Sequence, residues 1–320
     1  MPAKCRIVCD STCDLTAQQA KDLDVTIIYM HYSEPGKSDG GLSGTDDLFQ
    51  SISPHEFYDA MRRGACPSTS QISVFEYKEI YQRLYDDGIP SVMFTLSSGL
   101  SGTYDSAVLA LEEFKAEHAD EEVRIYVCDS MLAAAPFGLL TIEACRKRDE
   151  GLNAEQIVQW AADAPYLMHT AFMVDNLDAL HRGGRIPKGV AVVGDALDVK
   201  PILHFNLDGS LGICGVARGR KKGLRWLIDN YKKKRLTDGS HLAMIATVAD
   251  SDVPEDGYAL AGELRAIEPE LEVLRPSIGP TIGCHVGPGM CAVCFWGADR
   301  RTQKQVTKVK GVRQEKPAKK

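Results

Sequence analysis

The stretch VMFTLSSGLSGTYDSAV, Val92 to Val108, is an apolar run that halts at two serines and crosses a glycine-rich turn. It resumes with helical spacing at Tyr104, Val108, Leu111 and Lys115. A strand followed in this way by a helix is the βα unit of a parallel sheet. Two near copies flank it: RIVCDST, Arg6 to Thr12, and RIYVCDSM, Arg124 to Met131, each an apolar run ending in Cys-Asp-Ser before a helix-like segment. The second copy continues with helical spacing at Leu132, Ala135, Leu139 and Ile142. Three such units predict a doubly wound layer over about residues 4–145.

Between the first and third units, SISPHEFYDAM opens with a Ser53-x-x-Glu56 capping box and places Pro54 just inside, which predicts a helix over Pro54 to Arg62. The segment GACPSTSQIS after it reads as a polar loop. From Thr170 the texture changes. A helix in NLDALHR ends at Gly183-Gly184, and PILHFNLDGSLGICGVA is two apolar runs around Asp208-Gly209, a hairpin signal. HLAMIATVA and MCAVCFW supply further strands, and EDGYALAGELRAI a helix. The expected fold class is α/β: an N-terminal doubly wound, largely parallel sheet domain over 1–163 and a smaller C-terminal mixed α+β domain over 164–300. A basic tail, 301–320, lacks large apolar residues and is expected to be disordered.

At 320 residues and 44% hydrophobic content the chain can bury a substantial core. MPAKCRIVCD has no apolar segment of signal-peptide length behind it, and no window reaches the ~18 to 20 apolar residues of a membrane span, so the cytoplasm is expected. The 10 cysteines are scattered through apolar segments, which favours free buried thiols over disulfides. The net charge of −7 conceals a tail of about +7 on a body of about −14, and an acidic body argues against nucleic-acid binding.

Three chemistries fail on spacing. A nucleophile elbow needs Gly-x-Ser-x-Gly, whereas Gly99-Leu100-Ser101-Gly102 is one residue short. No Gly-x4-Gly-Lys-Ser/Thr and no Gly-x-Gly-x-x-Gly follows a strand, so the turn has anion-binding logic without a nucleotide signature. Cys5, Cys9, Cys13 and the pair Cys291 and Cys294 do not converge as metal ligands and read as core. What remains are polar residues at strand ends, where open α/β sheets bind ligands: Asp10, Ser11, Thr69, Ser70, Ser97, Ser98, Asp129 and Ser130. For Asp10 and Asp129, capping is the competing role. A lone His285 sits in IGPTIGCHVGPGM among four glycines, a backbone that permits close approach to a ligand.

In order along the chain, IVCDSTCDL, STSQIS, TLSSGLSGTYDSA, VCDSMLAAAPFGLL, LDALHRGGRIPKGVAVVGDALDVKPIL and IGPTIGCHVGPG resemble the DegV family of bacterial fatty-acid-binding proteins, over about Lys4 to Gly297. The resemblance implies one long-chain fatty acid held between the two domains, with no cofactor and no catalysis of its own. It implies that the carboxylate is held by Thr69, by Ser98 or secondarily Ser97, and by His285, with Arg185 and either Arg218 or Arg220 near the entrance. It further implies a partner, a separate fatty-acid kinase subunit that binds ATP and converts the presented acid to acyl phosphate for phospholipid synthesis. A competing reading is a serine-dependent acyl hydrolase using Ser98 or Ser101. The cationic run RGRKKGLRWLIDNYKKKR would suit transient contact with an anionic partner or membrane surface.

Overall fold

A computed structural model of the chain describes residues 5–37, 41–119, 121–192, 198–304 and 309–314. The three βα units lie side by side as anticipated. Arg6–Asp10 pairs in parallel with Val25–Ile28 on one side and Ser91–Thr95 on the other, and Ser91–Thr95 pairs in parallel with Ile125–Asp129. Ser91–Thr95 is buried along its whole length, as a central parallel strand covered on both faces must be.

The second sheet has six strands in the order Leu211–Arg218, Val199–Phe205, Met168–Met173, Cys291–Trp296, Ile245–Asp250, Glu272–Leu274. All its pairings are antiparallel except the last. The Asp208-Gly209 turn closes the hairpin between its first two strands, with Gly209 at φ 76°. The helix Ala135–Asp149 packs against Arg6–Asp10 of the parallel sheet and against three strands of the second sheet. Because it lies between two sheets, its first eleven residues are buried nearly all round rather than along one stripe, and its charges gather in the last turns.

Ser53 and Glu56 form the capping box of Pro54–Arg62, with the bounds the sequence predicts. A small antiparallel sheet, Gly44–Thr45, His31–Ser33 and Ser68–Ser70, was not legible: its third strand runs through the segment read as a polar loop. Short strands made of Ser and Thr carry no apolar alternation to betray them. Within the tail expected to be disordered, Val312–Gln314 pairs antiparallel with Val190–Val192, and Arg301 donates to Asp163 Oδ1 at 2.7 Å. Residues 305–308 and 315–320 of that tail lie outside the described residues. Eight cysteines are buried as free thiols; Cys66 is exposed and Cys214 is half-buried.

Candidate functional site

Beyond the carboxyl ends of the parallel strands, Asp10 and Asp129 act as caps. Asp10 accepts from the backbone N–H of Thr12 at 3.0 Å and of Leu96 at 2.7 Å, tying two strand ends together. Burial pushes its carboxyl up to about 6 against those hydrogen bonds. Asp129 accepts from the N–H groups of Ser98 and Met131.

These fixed loops form one side of a cavity of about 180 Å³ between the two sheets. At roughly 10–15 Å³ per atom-sized sphere, that is room for about a dozen or more non-hydrogen atoms in file. The walls are mostly apolar, with Leu96, Ala133, Phe172, Phe205, Ile282 and Met290 among them. Such a lining suits a hydrocarbon.

Four polar side chains gather along one part of this wall. Thr69 is the middle residue of Ser68–Ser70 and is half-buried between exposed neighbours, with its side chain toward the cavity. Its Oγ1 lies 2.9 Å from His285 Nε2. His285 belongs to the helix Pro280–Val286, and burial, with Arg185 and Arg182 nearby, pushes its imidazole down to about 4. The ring is therefore neutral at pH 7. Its Nδ1 is buried without a hydrogen-bond partner. Gly183 stands against that nitrogen: a Cβ there would lie 2.3 Å from Nδ1.

Arg185, two residues on, donates from Nε to the carbonyl of Leu100 at 3.0 Å and from Nη1 to the carbonyl of Gly183. Burial lowers its pKa. Among the described residues no carboxylate pairs with it, so a partly desolvated cation borders the cavity with carbonyl dipoles as its partners. Ser101, next to Leu100, also lines the wall; its Oγ lies 2.9 Å from Thr103 Oγ1.

Of the residues expected from the sequence, Thr69, His285 and Arg185 are thus brought together, and Ser97 and Ser98 are placed elsewhere. Ser97 is fully buried and donates to the carbonyl of Gly209 at 2.9 Å, fastening the turn to the hairpin tip. Gly99 abuts the same hairpin backbone: a Cβ there would lie 2.5 Å from Gly209 C. Ser98 is exposed and its hydroxyl lies 2.5 Å from Asp129 Oδ2. The turn that carries them is committed to holding the two sheets in register, and the serine it offers to the cavity is Ser101. Arg220 is engaged by Asp175 and Asp256 and by the carbonyl of Gly289, whereas Arg218 is exposed; neither lines the cavity.

Sequence reasoning missed Ser101 as a wall residue, having weighed it only as a nucleophile. It also missed Gly183, read merely as a helix end. At φ −74° Gly183 has no conformational need to be glycine, so only the approach of His285 explains it. Among the described residues no group of three or more His, Cys, Asp or Glu could hold a metal ion, and no helix is long and apolar enough to cross a membrane.

Comparison with known proteins gives a consistent picture. The family model described as "Uncharacterised protein, DegV family" matches residues 4–297. A DegV domain-containing protein of Clostridium perfringens is 33% identical over 291 residues, covering 91% of this chain and 97% of the relative. Among solved structures, one described as a stearic-acid-binding protein from Eubacterium ventriosum has a TM-score of 0.79 at 27% identity, covering 93% of this chain and 100% of that one. Another, described as a DegV lipid-binding protein from Thermotoga maritima, has a TM-score of 0.74 at 28% identity, covering 93% and 99%.

Proposed function

The chain belongs to the DegV family, and on that premise we propose that it is a carrier that holds one long-chain fatty acid in the cavity between its sheets. The observation that carries the reading is Arg185: a partly desolvated guanidinium with no carboxylate partner among the described residues, bordering a largely apolar cavity. A fatty-acid carboxylate placed there supplies the missing counter-ion, and charge-assisted hydrogen bonds are the strong ones. The neutral imidazole of His285 can donate from Nε2 to Thr69, which frees the Thr69 hydroxyl to donate to the carboxylate. Ser101 stands near enough in the chain to serve the same head group. The acyl chain would lie along the apolar wall. At about 0.8 kcal/mol per buried methylene, roughly ten of them contribute about 8 kcal/mol before ordering costs.

The carrier would present the acid to a separate ATP-binding kinase subunit, since nothing in its own sequence has the pattern of a phosphate loop. Transient contact with a membrane surface would suit loading, and the cationic helix Arg220–Lys234 is where such contact would be sought. The hydroxyls that could serve a hydrolase bond to Asp129 (Ser98) and Thr103 (Ser101) rather than to an imidazole, which favours holding over reaction. The test is organic extraction of protein purified without detergent, followed by mass spectrometry of the extract. Stoichiometric fatty acid is expected. A protein that neither carries nor takes up fatty acid overturns the proposal.

A further inference from the structure

The cavity wall contains three consecutive alanines followed by a proline, Ala133 to Pro136, at the entry to the helix Ala135–Asp149. The middle one is anomalous. Ala134 has φ 63° and ψ −150°, a backbone conformation reserved almost wholly for glycine because a Cβ crowds the adjacent peptide groups. Its polar groups are already committed. The N–H donates to the carbonyl of Thr12 at 2.7 Å, and the carbonyl accepts from Phe137 at 2.9 Å and Gly138 at 3.1 Å. What Ala134 can present to the cavity is its methyl group.

The backbone that carries this methyl is closely packed from behind. A Cβ on Gly138 would lie 2.4 Å from the carbonyl oxygen of Cys13, so the first turn of the helix is pressed directly onto the 3-10 turn Ser11–Cys13 that follows Arg6–Asp10. A strained side chain on a rigid support, at a position where glycine would be at ease, is a feature whose cost needs a return elsewhere. Here the return would be the shape of the cavity.

We propose that Ala134 is a specificity-determining residue, whose methyl narrows the cavity to admit a linear acyl chain and to exclude one carrying a methyl branch where it passes this wall. The inference rests on the fatty-acid reading above and names the ligand class within it. In an apolar pocket one carbon group more or less discriminates by roughly tenfold or more.

The experiment uses the delipidated full chain and its Ala134→Gly variant. A bound fluorescent fatty acid is displaced by palmitate and by a series of methyl-branched palmitates with the branch moved along the chain. The wild type is expected to disfavour the branch about tenfold over one stretch of the chain. In Ala134→Gly that penalty should largely vanish, with no loss of melting temperature because glycine accepts this conformation freely. An unchanged penalty in the variant, or none in the wild type, overturns the inference while leaving the carrier reading intact. A protein that takes up no fatty acid at all overturns both.

Discussion

Gly183→Ala places a methyl where its carbon would lie 2.3 Å from His285 Nδ1. Real carbon contacts stay beyond about 3.0 Å, so the ring must yield by about 0.7 Å. It cannot do so in place, because Nε2 on its other side is already 2.9 Å from Thr69 Oγ1. The imidazole must rotate out of that hydrogen bond. The loss is about 1 kcal/mol for the bond and about 1–3 kcal/mol for overpacking. Backbone considerations point the other way: at φ −74° alanine is as comfortable as glycine and should gain about 0.4–1 kcal/mol by stiffening the unfolded chain. The two effects differ in sign, so the outcome is decisive. Fatty-acid affinity, read by displacement of a fluorescent fatty acid, should fall roughly fivefold or more, and the melting temperature should fall by several degrees. Unchanged affinity with a raised melting temperature would refute the packing of His285 against Gly183 and its role at the head group.

Arg185→Gln should weaken fatty-acid binding by roughly 10- to 150-fold, the worth of a charge-assisted hydrogen bond, in an equilibrium titration; affinity retained would separate Arg185 from the carboxylate. Thr69→Val keeps the shape and removes the hydroxyl, so a loss of roughly threefold to tenfold is expected in the same titration, whereas Ser98→Ala should leave affinity within about twofold because Ser98 faces Asp129. The pH dependence of stability carries a sign. With His285 near 4 in the fold and about 6.5 unfolded, the unfolded chain binds more protons between those values, so His285 costs stability as pH falls from about 6.5 toward 4. Asp10 and Asp46, raised to about 6, act oppositely, gaining stability as pH falls through the same range. His285→Asn should therefore unfold at a temperature that declines less on going from pH 6.5 to 4.5 than the wild type's; an equal or steeper decline would mean that His285 is not held neutral by burial.

Three strands of the parallel layer were legible because each is an apolar run set before a turn signal and helical spacing, whereas the edge strand Val25–Ile28 was not read; the hairpin was legible because Asp208-Gly209 supplies the turn chemistry. The small sheet was not, since Ser68–Ser70 carries no hydrophobic period and forms by pairing with a distant His31–Ser33. At the site, Thr69, Arg185 and His285 could be named from motif resemblance, yet their convergence is a long-range fact: residues 216 positions apart share one hydrogen bond. The serine loop misled for a physical reason. Three hydroxyls in five residues look equivalent in sequence, but the turn spends Ser97 on Gly209 and Ser98 on Asp129 and leaves Ser101 to the wall. Nor does sequence show that Gly183 is glycine for the sake of His285, or that Ala134 is strained.

The central claim is that the cavity holds one fatty acid by its carboxylate. Its most direct measurement is the saturation binding of radiolabelled palmitate to the delipidated chain, in parallel with the fatty alcohol of the same length as competitor. Saturation at one palmitate per chain is expected, with a fatty alcohol that competes at least about tenfold more weakly because it lacks the charge that Arg185 requires. Absence of saturable uptake, or an alcohol that competes as well as the acid, would contradict it.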